Sequence, residues 1–185
     1  MTQAELIAAC QQEDRRAQQA LYDLYTPLLF GVCKRYVKNR EDAEDIVVEA
    51  FFKILTNIRN FKGEGSFEGW MRRITVNEAL MFLRKQHNFN LTIEINPQLD
   101  SDTDLVSPVD ELAAQDILNL LGTLPTGYRT IFNLYAIEGF KHREIADMLG
   151  ISINTSKSQL ILAKKRLQEL LENLQYLSAQ KGRPS

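Results

Sequence analysis

Hydrogen-bonding and cationic side chains gather near the C-terminal end of this 185-residue chain, where Asn154, Thr155, Lys157, Ser158, Lys164 and Lys165 fall in one short stretch. At helical spacing such a set suits a duplex: amide and hydroxyl groups meet base edges, and lysines hold phosphates. On a helical wheel at 100° per residue, Ile153, Ser156, Ala163, Leu167 and Leu174 fall within about 60° of Leu160, the expected core face. Asn154, Thr155, Ser158, Ile161, Leu162 and Lys165 lie opposite. Ile161 and Leu162 would then be exposed, either to touch thymine methyls or to form a protein interface. Bond chemistry has no comparable set of residues. Cys10 and Cys33 stand far apart, His87 and His142 are the only histidines, and none of them has a metal-ligand neighbour at the usual spacing. Paired carboxylates, a nucleophile with its base and a phosphate loop are likewise missing. The expectation is a protein without metal, cofactor or small-molecule substrate. Each cysteine reads as a small buried apolar residue, with an isolated redox role as the alternative.

The elements that must position these residues are two helices and a turn. Lys141 to Leu149 reads as a short helix, Gly150 supplies a positive φ, and a long helix is predicted from about Ser152, its N-cap, to Leu174. Ala146 places a small side chain where the two helices must approach. This is the sequence form of a helix-turn-helix. An ordinary helical hairpin, with Lys164, Lys165 and Arg166 on a solvated face, is the other reading.

The net charge of −2 looks unfavourable for a phosphate ligand, but its distribution matters more. Residues 1–85 carry +1, residues 86–112 carry −6 with no basic residue, and residues 113–185 carry +3. The acidic stretch includes Asn96, Pro97, Asp100, Ser101, Asp102, Asp104 and Pro108 and has no sustained apolar period, so it reads as a linker. The fold class is therefore all-α: two small helical domains, 1–86 and 112–177, joined by an acidic flexible linker at 87–111 and followed by a frayed tail at 178–185. In the first domain helices are predicted at Ala4 to Gln11, Arg16 to Lys38, Glu41 to Arg59 and Phe67 to Gln86. Leu21, Leu24, Leu28 and Val32 mark the second, which Pro27 is expected to kink or break. No apolar run approaches the roughly 20 residues that cross a bilayer, and Met1 to Gln12 lacks a basic start with an apolar block. The expected compartment is the cytosol.

In the third helix Val47, Ile54, Leu55 and Ile58 cluster around Phe51, while Asp42, Asp45, Glu49 and Lys53 face away. An acidic outer face suits a basic partner, although the same acids also complement the positive end of a helix dipole behind Asn39. Beyond it come Phe61, the Lys62 to Ser66 loop with Gly63, Glu64 and Gly65, then Phe67 and Trp70, and then Arg72, Arg73, Asn77, Arg84 and Lys85. A glycine loop beside aromatic and basic groups can hold an unstacked base while cations track the backbone. Phe67 and Trp70 also share helical spacing with Ile74, so core packing is their other reading.

The block from Glu41-Asp-Ala-Glu-Asp-Ile-Val-Val-Glu to Phe61-Lys-Gly-Glu-Gly-Ser-Phe-Glu-Gly-Trp and Val76-Asn77 resembles conserved region 2 of bacterial extracytoplasmic-function sigma factors. The block from Leu124-Pro125 through Glu144-Ile-Ala and Thr155-Ser-Lys-Ser to Arg166-Leu167 is similar to region 4 of the same family. The two blocks together cover about 21–86 and 112–172. The resemblance implies a factor that binds core RNA polymerase, directs it to promoter DNA and helps open the duplex, with no bond chemistry of its own. It implies Asp45, Val48 and Glu49 as contacts to the clamp helices of the largest polymerase subunit. It further implies Lys62 to Ser66, Arg72, Arg73 and Asn77 at the downstream element and single strand, and the 154–165 face at the upstream element. An anti-sigma partner follows from family habit. The chain departs from the family pattern at Val48, where Gln is frequent, at Met81, where Asp is common, and at Gln159 and Leu162, where Arg is common. The linker is implied to thread toward the active centre and RNA exit, with a solubilising role as the alternative. A sigma-like module that sequesters a partner, and a stand-alone helix-turn-helix regulator, are the competing functions.

Overall fold

In the computed structural model the described residues are 1–86 and 114–181, and the expected linker lies outside them. Contacts divide the chain into two compact units, Met1–Asn88 and Phe89–Ser185.

The first unit contains α1 (Gln3–Gln11), α2 (Arg15–Tyr36), α3 (Arg40–Asn57), a 3-10 turn at Ile58–Asn60, and α4 (Phe67–Lys85). Local chemistry sets each start. Thr2 Oγ1 accepts from the Glu5 amide at 3.2 Å while Glu5 Oε2 accepts from the Thr2 amide at 2.7 Å, a reciprocal cap. Asp14 caps α2, Asn39 Oδ1 accepts from the Glu41 amide at 3.0 Å, and Ser66 Oγ accepts from the Gly69 amide at 3.2 Å. Helices α2, α3 and α4 pack mutually around Leu21, Leu29, Tyr36, Ile46, Ile54, Ile58 and Met71, all fully buried. Truncating one such leucine to Ala costs about 2–5 kcal/mol.

Helix α2 runs unbroken, which leaves the kink as the remaining expectation for Pro27, and only some of the apolar residues that mark it are buried. Its buried row is Ala17, Leu21, Tyr25, Leu29, Val32, Cys33 and Tyr36, and Leu24 is 61% exposed with Leu28 also at the surface. The helix carries two apolar rows, and α3 and α4 cover only the one containing the tyrosines. Pro27 does not break the helix. It is exposed, and so is Asp23, whose carbonyl would have received the missing amide, so water can take that role. Cys10 and Cys33 are buried free thiols, and burial pushes Cys33 up to about 12, so it behaves as an apolar residue.

The second unit contains α5 (Ala114–Thr123), α6 (Thr126–Phe132), a π turn at Asn133–Ile137, α7 (His142–Leu149) and α8 (Ile153–Lys181). Helix α8 is its spine: Leu167 and Leu171 pack with Leu120, Leu121 and Leu124, and α6 and α7 lie against its earlier turns. It continues past Ser178, the expected start of the tail. No strand occurs among the described residues.

Candidate nucleic-acid interface

The helix-turn-helix is built as its residues require. Gly150 ends α7 at φ 68° and ψ 36°, and the Ile151 amide donates back to the Ala146 carbonyl at 3.0 Å. That left-handed conformation favours glycine. Ser152 Oγ accepts from the Thr155 amide at 2.9 Å and starts α8. Ala146 of α7 and Ala163 of α8 are both buried, and α7 packs against α8.

On α8, Asn154, Lys157 and Lys165 are exposed, and Thr155, Ser158 and Lys164 are half-buried. The Ser158 hydroxyl donates to the Thr155 carbonyl at 3.1 Å, and the Thr155 hydroxyl shares a 2.8 Å bond with Ser152. The Ser158 proton is engaged locally, and both hydroxyl oxygens keep acceptor capacity. The core face differs from the wheel at its ends: Ile153 is 43% exposed and Leu174 50% exposed, while Gln159 and Leu171 are buried. Ile161 and Leu162 are half-buried, so they are not the exposed pair expected. Helix α8 is covered on more than one side by α5, α6 and α7, and this widens the buried arc beyond one stripe.

In the first unit the loop residues Lys62, Gly63, Glu64, Gly65 and Ser66 are all exposed, with Gly63 at φ 76° and Gly65 at φ 81°. The start of the loop is held firmly. The Phe61 ring packs on Phe67 and Trp70 at centroid distances of 5.0 and 5.5 Å. Gln11 Nε2 donates to the carbonyls of Ile58 at 3.1 Å and Phe61 at 3.3 Å. Arg59 donates in turn to the Gln11 carbonyl and to Glu13, at 3.0 Å each. Phe67 is core, whereas Trp70 is half-buried, stacked on Phe67 at 5.6 Å. Arg73 and Asn77, both exposed, share one face of α4 four residues apart, with Trp70 a turn before them and the half-buried Arg72 alongside.

On the outer face of α3, Asp45 and Glu49 are exposed with Val48 at 57%. Lys53 does not share that open face. It turns toward α4, where Nζ lies 2.6 Å from Glu78 Oε1 and 3.6 Å from Met81 Sδ. The ion pair of Lys53 is thus with Glu78, and Met81 offers it only a thioether. One residue escaped the sequence reading: Phe52 is 68% exposed, four residues beyond Val48. Two apolar residues at that spacing on an otherwise acidic face were the available signal.

A DNA-binding helix-turn-helix domain on the same chain as a helical bundle bearing an acidic face and a glycine loop defines a class of transcription factor. Residues 21–89 match the family model for Sigma-70 region 2, and residues 114–167 match that for Sigma-70 region 4. The sigma factor SigV of Bacillus subtilis is 35% identical over 149 residues, covering 75% of this chain and 82% of its own length. The sigma-E factor of Haemophilus influenzae is 28% identical over 185 residues, covering 94% of this chain and 97% of its own. A solved structure of the sigma factor RpoE of Bartonella quintana with the anti-sigma factor NepR has a TM-score of 0.52 at 24% identity, covering 83% of this chain and 96% of that one, and shares the fold. The chain belongs to the extracytoplasmic-function group of the sigma-70 family of RNA polymerase sigma factors.

Proposed function

We propose that this sigma factor binds core RNA polymerase through Asp45, Val48 and Glu49, and that its two units read the two elements of a promoter. The observation that carries this is the outer face of α3. Neither Asp45 nor Glu49 meets a cation among the described residues, and Val48 and Phe52 expose apolar surface between and beyond them. Exposed acids flanking apolar anchors favour a basic partner helix, because the rim charges steer and the apolar centre holds.

The loop Lys62 to Ser66, with Arg72, Arg73 and Asn77, takes the unpaired strand. Stacking of a base on an aromatic ring beside such a loop is worth roughly 1–3 kcal/mol, comparable to the few kcal/mol lost when a base leaves the duplex. Asn154, Thr155, Lys157, Ser158 and Lys165 take the upstream duplex, with Ile161 and Leu162 supplying apolar contact at its margin. The segment 87–111 joins the two domains, 1–86 and 112–177, and about 25 residues reach roughly 80 Å at full extension. The factor supplies positioning and no bond chemistry, acts in the cytoplasm with polymerase, and binds an anti-sigma partner.

Run-off transcription with core polymerase on a promoter library tests this. Initiation at a defined set of sites is expected. Failure both to co-purify with core and to initiate at any site would overturn it.

A further inference from the structure

A cluster at the helix-turn-helix has no place in the contacts described so far. His142, the first residue of α7, bonds through Nδ1 to Ser156 Oγ at 2.8 Å, and its ring stacks on Tyr135 of the π turn at 4.5 Å with planes 22° apart. Ser156 is fully buried and Tyr135 is 39% exposed, so the imidazole is fixed from two sides on a half-buried site. The two nitrogens of an imidazole diverge. With Nδ1 committed to a buried hydroxyl, Nε2 is the nitrogen left to meet a ligand. Lys157 and Lys164 of α8 act on the same ring, with Lys141 just before α7, Arg143 and Glu144 on its first turn and Glu138 just past the π turn.

We propose that His142 is a DNA-phosphate contact that becomes a cation only when a duplex docks, so that DNA binding takes up one proton. The inference rests on the reading of this unit as duplex-binding. Three basic groups crowd one small region, and in the free chain the third charge is the one given up. Desolvation, then Lys157, then Lys164 hold the imidazole below its usual value, which favours the neutral ring in the free chain. A phosphate laid against Lys157 and Lys164 cancels the repulsion and adds an anion at hydrogen-bond range. The proton affinity of the ring then rises. Between the free and bound values, affinity for duplex increases as pH falls, by at most about tenfold per pH unit for one linked proton. Tyr135 and Ser156 hold the ring in the same place throughout, because Ser156 can donate to neutral Nδ1 or accept from Nδ1–H.

The chain has two histidines, so the test is direct. In the full chain carrying His87→Gln, the Cε1–H resonance of His142 is titrated with and without a 24-base-pair mixed-sequence duplex at low salt, and duplex affinity is measured by anisotropy from pH 5.5 to 8. The expected result is a titration midpoint that moves up on adding duplex and an affinity that rises toward low pH. In His142→Gln the pH dependence should vanish, with affinity at each pH no higher than that of the unaltered residue, and in His142→Lys binding should be independent of pH. Duplex binding with an unmoved midpoint, or the same pH slope in His142→Gln, overturns the proton-linked contact while leaving the duplex-binding reading intact. Absence of duplex binding at every pH overturns both.

Discussion

Lys53 and Glu78 form an ion pair 2.6 Å long between α3 and α4, with the lysine side chain 39% exposed and the carboxylate 9% exposed. The asymmetry sets what each partner is worth. If Lys53 is lost, Glu78 is left buried with its charge uncompensated; if Glu78 is lost, Lys53 can still reach water. Lys53→Met should cost about 1–3 kcal/mol, discounted from the range for fully buried pairs because the lysine is partly solvated. Glu78→Gln should cost less, under about 1 kcal/mol, since the amide oxygen still accepts from Nζ. Trp70, the only tryptophan, reports the first unit in urea denaturation. Equal costs for the two variants would contradict the account.

Gly150 is a clean probe of backbone conformation, because a Cβ built there meets nothing within 4 Å and the whole penalty lies in its φ of 68°. Gly150→Ala should destabilise the second unit by about 1 kcal/mol, and Gly150→Asn by less, because Asn tolerates the left-handed region. Loss of helical signal at lower urea, with the Trp70 transition unshifted, is the expected readout.

Lys165 is exposed on the outer side of α8. Lys165→Ala should weaken duplex binding at every sequence and reduce the slope of log affinity against log salt by about one. An unchanged slope would remove Lys165 from the phosphate contacts.

Glu49→Lys places a cation on the acidic face of α3. Affinity for core polymerase should fall at least about tenfold, through like-charge repulsion against a basic partner. Because Glu49 is exposed, stability read at Trp70 should change by no more than about 0.5 kcal/mol. Undiminished core binding would move the polymerase contact elsewhere on the unit.

Much of the local structure around the candidate site was legible from spacing and residue type. Asn39 and Ser152 have short polar side chains just before apolar-periodic runs, and each caps its helix as expected, whereas Ser66, read only as a loop residue, also caps α4. Gly150 between Leu149 and Ile151 required a turn and makes one. The acids of α3 face outward because Ala43, Ile46, Val47, Ala50, Phe51 and Ile54 leave only one way for that helix to turn.

What only the tertiary structure decided was the choice among equivalent rows. Helix α2 carries one apolar row through Leu24 and Leu28 and another through Tyr25 and Leu29, and periodicity weighs them alike until α3 and α4 cover the second. The same holds on α8, where packing by α5, α6 and α7 buries Gln159, half-buries Ile161 and Leu162, and leaves Ile153 and Leu174 in solvent. Partners distant in sequence belong to the same category: Lys53 with Glu78, Gln11 with Phe61, and His142 with Ser156. By itself the sequence determined the four helices of the first unit, the helix-turn-helix with its glycine turn and its Ser152 cap, and the family, because these depend on interactions a few residues apart or on motif order. The buried face and the cross-helix bonds depend on which surfaces meet in space, and burial acts on the neighbours a residue acquires rather than on its position in the chain.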